Sequence, residues 1–83
     1  RFDSVYEMGN GNVSLIRIEV PSLLVGHTVN DLTVVGEINV VSISRDNKTF
    51  IPTLGAIFEP RDILYISVIN SANDKLKYML DLA

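Results

Sequence analysis

His27 is the only histidine in this chain, and the groups placed to work with it in sequence are Ser22 and Asp31. A serine–histidine–aspartate relay needs partners that converge on a pocket, with the base between nucleophile and carboxylate. Here the three lie in one short stretch, and a solvent-facing histidine beside a helix cap accounts for the same letters. One histidine and no cysteine cannot supply the several nitrogen or sulfur ligands of a zinc site. Two carboxylate pairs are close in sequence, Glu59 with Asp62 and Asp31 with Glu37. Acid–base catalysis would need their environments to drive the two pKa values of a pair apart. Both pairs fall in segments that read as turns, where carboxylates are solvated and help to start elements. Asp31 and Glu59 could offer oxygen to a cation, but calcium asks for a denser cluster in a dedicated loop. Gly9-Asn10-Gly11-Asn12 reads as a turn or linker. A phosphate-cradling loop would need a preceding strand, a third glycine and a following helix, and the sequence reads as having none of them. These residues argue against an enzyme.

Eighty-three residues make one domain, and a chain of this size buries only about 60–65% of its unfolded surface. Yet 47% of the residues are hydrophobic. Part of that apolar surface is expected to meet a partner, and a second copy is the simplest one. The absence of cysteine favours the cytosol over a secreted setting. The net charge is −3, and the seven lysines and arginines are scattered without a basic run. Binding to a nucleic-acid backbone is therefore not expected. No apolar run approaches the roughly 20 residues that span a bilayer, and no signal-peptide pattern is present. The first residue is Arg, so the chain is expected to be a piece of a longer protein.

The elements that must position any site can be read from periodicity and turn chemistry. Residues 1–12 have no clean period and read as a linker from an upstream domain, ending in a tight turn. Residues 13–20 alternate Ile16, Ile18 and Val20 with Arg17 and Glu19, a half-buried strand closed by Pro21. Residues 26–32 form a short helix, with Thr28 as cap and Asp31 three positions on. A strand over 38–45 is apolar on both sides at its start, through Val40 and Val41, as a central or interface-covered strand would be. Asp46-Asn47 makes a two-residue hairpin turn, followed by a return strand over 49–51 that Pro52 closes. Glu59-Pro60-Arg61-Asp62 is a turn with Pro in its favoured place. Residues 63–69 are the last strand, with Leu64, Ile66 and Val68 on one side. A helix over 71–83 has Ser71 as N-cap and an apolar stripe of Ala72, Leu76, Met79, Leu80 and Ala83. The order β-α-β-β-β-α implies an α+β sandwich, an antiparallel or mixed sheet with helices on one side.

Gly26 leading a one-turn helix that ends at Leu32, a strand running into Arg45, Pro52 after a hairpin and Asp62 opening a last strand form an ordered pattern. Over residues 13–83 it resembles the C-terminal domain of TrkA-type potassium-uptake regulators, the RCK C-domain. The resemblance implies a cytoplasmic regulatory domain placed behind a nucleotide-binding Rossmann domain. It implies a homodimer or higher homo-oligomer that sits at the inner face of the membrane through an ion-transport subunit. It also implies an effector site at the dimer interface, with cyclic di-AMP the ligand in some members. The residues matching that site are Asp31-Leu32-Thr33, Asn39-Val40 and Pro52. Asp31, Asn39 and Pro52 agree with the pattern, whereas Thr33 replaces a basic residue that would pair with phosphate. The reading in which Asp31 and Asn39 serve only the backbone stays open beside it. So do a purely structural dimerisation domain and the regulatory domain of another cation carrier. No cofactor is expected within this chain, because the glycine fingerprint of a dinucleotide site is missing.

Overall fold

The computed structural model of the chain describes residues 2–81. Within the stretch read as an irregular linker, β1 (Asp3–Met8) pairs with β2 (Val13–Glu19). The register slips between Ser4 and Tyr6, a bulge that breaks the alternation and hides the strand from a period-two reading. Gly9 and Gly11 turn the hairpin with φ of +63° and +81°, which glycine adopts without a Cβ penalty. A strand does precede the glycines, but the chain leaves them as a second strand and not as a helix.

The other strands are β3 (Ile38–Arg45), β4 (Lys48–Phe50) and β5 (Ile63–Ile69). They complete a five-stranded sheet in the order β1-β2-β5-β3-β4, with every pairing antiparallel. The last strand in sequence is thus the middle one in space, which suits its β-branched run. β3 lies next to the edge. Its doubled Val40-Val41 marks a second register shift, between Val40 and Ser42, so Val41 points away from the core without spoiling the alternation that follows. Asp46 and Asn47 turn the β3–β4 hairpin with φ of +50° and +65°, as the two residues suggested.

Ile16 and Ile18 of β2, Ile38, Val40 and Ile43 of β3, and Leu64, Ile66 and Val68 of β5 build one buried face. Short helical segments cover that face and supply the rest of the core. Two 3-10 turns, Ser22–Leu24 and Val29–Leu32, contribute Leu24, Val29 and Leu32. A third, Asn70–Ala72, leads into α1 (Asn73–Met79). This is the α+β arrangement the sequence predicts. The helix expected over 71–83 is shorter at both ends: it stops at Met79, with Leu80 as C-cap and Asp81 at φ +59°. Ala72, not Ser71, stands at the N-cap and makes no side-chain bond. The Asn73 side chain instead donates to Asn70 Oδ1 at 3.1 Å, and the Asn73 N–H bonds the Asn70 carbonyl. Ala72, Leu76 and Leu80 are buried as the stripe requires, Met79 is partly buried, and Ala83 lies outside the described residues.

Asp62, read from the sequence as a solvated turn carboxylate, is 1% exposed. Its turn places Arg61 at φ +69°, the positive φ that a type II turn demands of its third residue. Arg45, at the end of β3, reaches it with two bonds: Nε donates to Oδ1 at 2.8 Å and Nη2 to Oδ2 at 2.7 Å. The Glu59 N–H donates to the same carboxylate at 2.9 Å. Arg45 also donates to the Ile57 carbonyl at 3.0 Å, meets Glu59 Oε2 at 3.0 Å and lies over the Phe50 ring. Burial pushes the Asp62 carboxyl up, but the bonds from Arg45 and Glu59 outweigh it and hold the pKa below its ordinary 3.8.

Removing the charge from Asp62 takes away the buried counter-charge of Arg45 and leaves it only the exposed Glu59 carboxylate and the Ile57 carbonyl. Asp62→Asn is expected to destabilise the domain by about 3–5 kcal/mol, a large part of the roughly 4–12 kcal/mol that a chain of this length holds. Urea unfolding at pH 7 measures this loss, and Arg45→Met with Asp62→Leu should recover part of it, since no charge is then left buried. Because the folded pKa is depressed, the contribution is complete above 3.8 and fades as the pH falls through the lower folded value. The urea midpoint of the native chain should therefore drop below about pH 4 more steeply than that of the apolar double variant. Equal slopes would show that Asp62 carries no such linkage.

Candidate functional site

The candidate site begins where the chain leaves β2 and folds back over the sheet. Gly26 turns the chain with φ +88°, and the segment that follows is held by the loop before the last turn. Gly26 N–H donates to the Phe58 carbonyl and Phe58 N–H to the His27 carbonyl, each at 2.9 Å. Val29 and Asn30 donate to the carbonyls of Ala56 and Leu54. On this support the capping box predicted from Thr28 and Asp31 forms. The Asp31 N–H donates to Thr28 Oγ1 at 3.3 Å, and the Thr28 N–H donates to Asp31 Oδ2 at 3.2 Å. His27 Nδ1 stands 3.3 Å from the same Oδ2. The backbone bond from Thr28, then the contact with His27, hold the Asp31 carboxyl below the usual carboxylate value. His27 is thus an exposed neighbour of a cap, and its side-chain contact is with Asp31.

The six candidate residues fall into different environments. Asp31 is exposed, with about half of its side chain in solvent. Leu32 and Val40 are core residues, so only their backbones could meet a ligand. The Thr33 hydroxyl donates to the Val29 carbonyl at 2.8 Å and closes the turn. Asn39 lies on the outer face of the sheet opposite Ser67, whose hydroxyl donates to the Asn39 carbonyl at 3.4 Å. Pro52 is half-buried just past β4. Asn39 belongs to a depression of about 200 Å³ with Gly36, Glu37 and Ile69. Asp31 and Leu32 belong to another, of about 540 Å³, with Leu23, Leu24, His27 and Met79. Within one copy these residues do not converge on a single pocket.

Sequence reading missed the wall beside Asp31. Leu23 carries no periodic signal, and Met79 sits in the helix stripe, where its spacing announces core. Other apolar side chains are left in solvent: Val35 is 94% exposed and Ile51 86%, with Leu54, Ile57 and Tyr78 also exposed. Three of these, Ile51, Leu54 and Ile57, punctuate the segment that braces residues 26–30. Among the described residues no three carboxylates or histidines cluster as metal ligands. No helix there is long and apolar enough to cross a membrane.

A family model described as the TrkA-C domain matches residues 13–77. An RCK domain solved with cda superposes with a TM-score of 0.63 at 21% identity, over 78% of this chain and 94% of that one. The RCK_C domain dimer of S. agalactiae BusR in complex with c-di-AMP gives 0.65 at 19% identity, over 87% of this chain and 95% of that one. The GsuK channel bound to NAD gives 0.69 at 13% identity, with 87% of this chain matched to 14% of the channel. No curated protein matches the chain. At these identities the structural likeness is one of fold.

The capping box organises the exposed carboxylate and is open to a direct test. Thr28→Ala removes the hydroxyl that accepts the Asp31 N–H and should lower stability by about 1 kcal/mol, with Thr28→Ser recovering most of it. Thermal unfolding of the three proteins measures the difference. An alanine variant as stable as the native chain would mean that the loop, and not the cap, holds the turn.

Proposed function

The chain belongs to the TrkA-C domain family, and from that premise we propose that it is the cytosolic ligand-sensing and dimerisation module of a Trk- or Ktr-type potassium-uptake protein. The observation that carries this reading is the apolar side chains left in water, above all Val35, Ile51, Leu54 and Ile57. A lone domain this small gains nothing from exposing them, whereas a second copy could cover them. A symmetric interface would also bring together what one copy holds apart. Asp31 and Asn39 occupy separate depressions here, and a cleft shared between copies can draw residues from both. The reading is supported by the S. agalactiae BusR domain, a dimer in complex with c-di-AMP.

On this reading the ligand acts by population shift. It favours one dimer geometry only to the extent that it binds the two geometries unequally. The upstream Rossmann domain receives the difference through residues 1–12, whose strand β1 is bonded to the sheet along β2. A membrane ion-transport subunit is the final partner. A second reading is favoured by the spent Thr33 hydroxyl and the burial of Leu32 and Val40: a dimerisation domain that binds nothing small.

Sedimentation of the purified chain should give a particle of twice 9.2 kDa. A persistent monomer at millimolar loading would overturn the proposal. Calorimetry of the dimer with cyclic di-AMP and with ligands of other charge then separates the two readings. Heat with any one ligand, accompanied by a shift in the dimer dissociation constant, supports sensing. Flat traces throughout leave the structural dimer.

A further inference from the structure

We propose that the depression beside Asp31 takes a small organic cation, an amine carried on an apolar body. The inference rests on reading the domain as a ligand sensor, and it assigns the charge of the ligand. The depression holds about 540 Å³, inside the range of roughly 300–1,000 Å³ typical of small-molecule sites. Its accessible apolar walls are Leu23 from the first 3-10 turn and Met79 from α1, and the buried Leu24 and Leu32 form the floor beneath them. Its polar rim is His27 and Asp31, and no lysine or arginine lines it.

The charges nearby agree. Both lysines of α1 are engaged elsewhere: Lys75 Nζ bonds Glu37 Oε1 at 2.6 Å, and Lys77 Nζ sits 5.3 Å from the Phe2 ring centre. Thr33 brings no charge, and its hydroxyl is already donated to Val29. A phosphate placed here would face the Asp31 carboxylate with no lysine or arginine lining the depression to offset it. An ammonium would meet Asp31, whose Oδ2 serves Thr28 and His27 and whose Oδ1 accepts no bond from the described residues. The capping box holds this carboxylate in place before any ligand arrives, so little ordering is needed on binding. The apolar body would lie on Leu23 and Met79.

Three probes of equal chain length test this: hexylammonium, hexanoate and 1-hexanol, titrated at one ionic strength into the isotope-labelled chain and followed by amide NMR. Hexylammonium should give saturable shifts at the amides of Leu23, His27, Asp31 and Met79, with at least tenfold higher affinity than hexanoate. Asp31→Asn keeps a cap acceptor and should bring hexylammonium down to the level of hexanol, with the melting temperature confirming the fold. No saturable shift at these amides, equal binding of hexanoate, or an affinity indifferent to Asp31→Asn would each overturn the inference. Light scattering on the same samples separates this outcome from that of the sensor reading. A monomer that binds the amine retains the charge assignment and sinks the dimer. A dimer that binds cyclic di-AMP at these amides and ignores the amine does the reverse.

Discussion

The Arg45–Asp62 pair is the constraint on which the candidate site depends. A buried ion pair is weak evidence for stability in itself, because desolvation offsets much of the attraction. Its value here lies in what else the two groups hold. Arg45 donates to the Ile57 carbonyl, and Asp62 accepts the Glu59 N–H. Both bonds go to the irregular segment between β4 and β5. That segment in turn accepts and donates the backbone bonds of Gly26, His27, Val29 and Asn30. The chain of support runs from the end of β3, through the pair, to the loop, to the turn that carries Asp31. An apolar substitute could fill the volume, but it would leave the Ile57 carbonyl and the Glu59 N–H without these partners.

Much of this frame was legible in the sequence. Alternation located β2 and β5, and turn chemistry located Asp46-Asn47 and Glu59–Asp62. The capping box was readable because its two side chains answer each other over three residues, a local fact. The misses share a physical cause, which is that they were decided by distant partners. Asp62 looks like any turn carboxylate until Arg45, far off in sequence, is seen to reach it. β1 was hidden by its bulge. Ser71 is a good cap on propensity alone, but the Asn70–Asn73 pair and a preceding 3-10 turn move the helix start past it. Of the candidate site, Asp31 and Asn39 were found on accessible surface. Leu32 and Val40 are core, because the turn and the strand that carry Asp31 and Asn39 point alternate side chains inward.

The sheet is covered on one face only. Leu15, Tyr65 and Ser67 alternate with the core residues of β2 and β5 and are half-buried, a mixed apolar and hydroxyl surface. Several strongly exposed aliphatic residues are elsewhere, in turns and loops: Val35 before β3, Ile51 after β4, Leu54 and Ile57 in the braced segment. Loops that carry apolar side chains into water are poor linkers and good contact surfaces, since their cost is removed when a partner covers them.

The same loops explain how regulation could be tuned without touching the core. Residues 54–58 bond the Asp31-bearing turn through four backbone hydrogen bonds and touch the buried pair through Ile57. On the proposed function, a partner pressing on Leu54 or Ile57 would reach the Asp31-bearing turn through these backbone bonds rather than through the sheet. The β2, β3 and β5 core stays as it is. On that reading, a partner surface and the ligand site would be mechanically adjacent, joined by these backbone bonds. The strength of that coupling would be set by how firmly Arg45 and Asp62 hold the loop, because a loop free to move would absorb the push instead of passing it on.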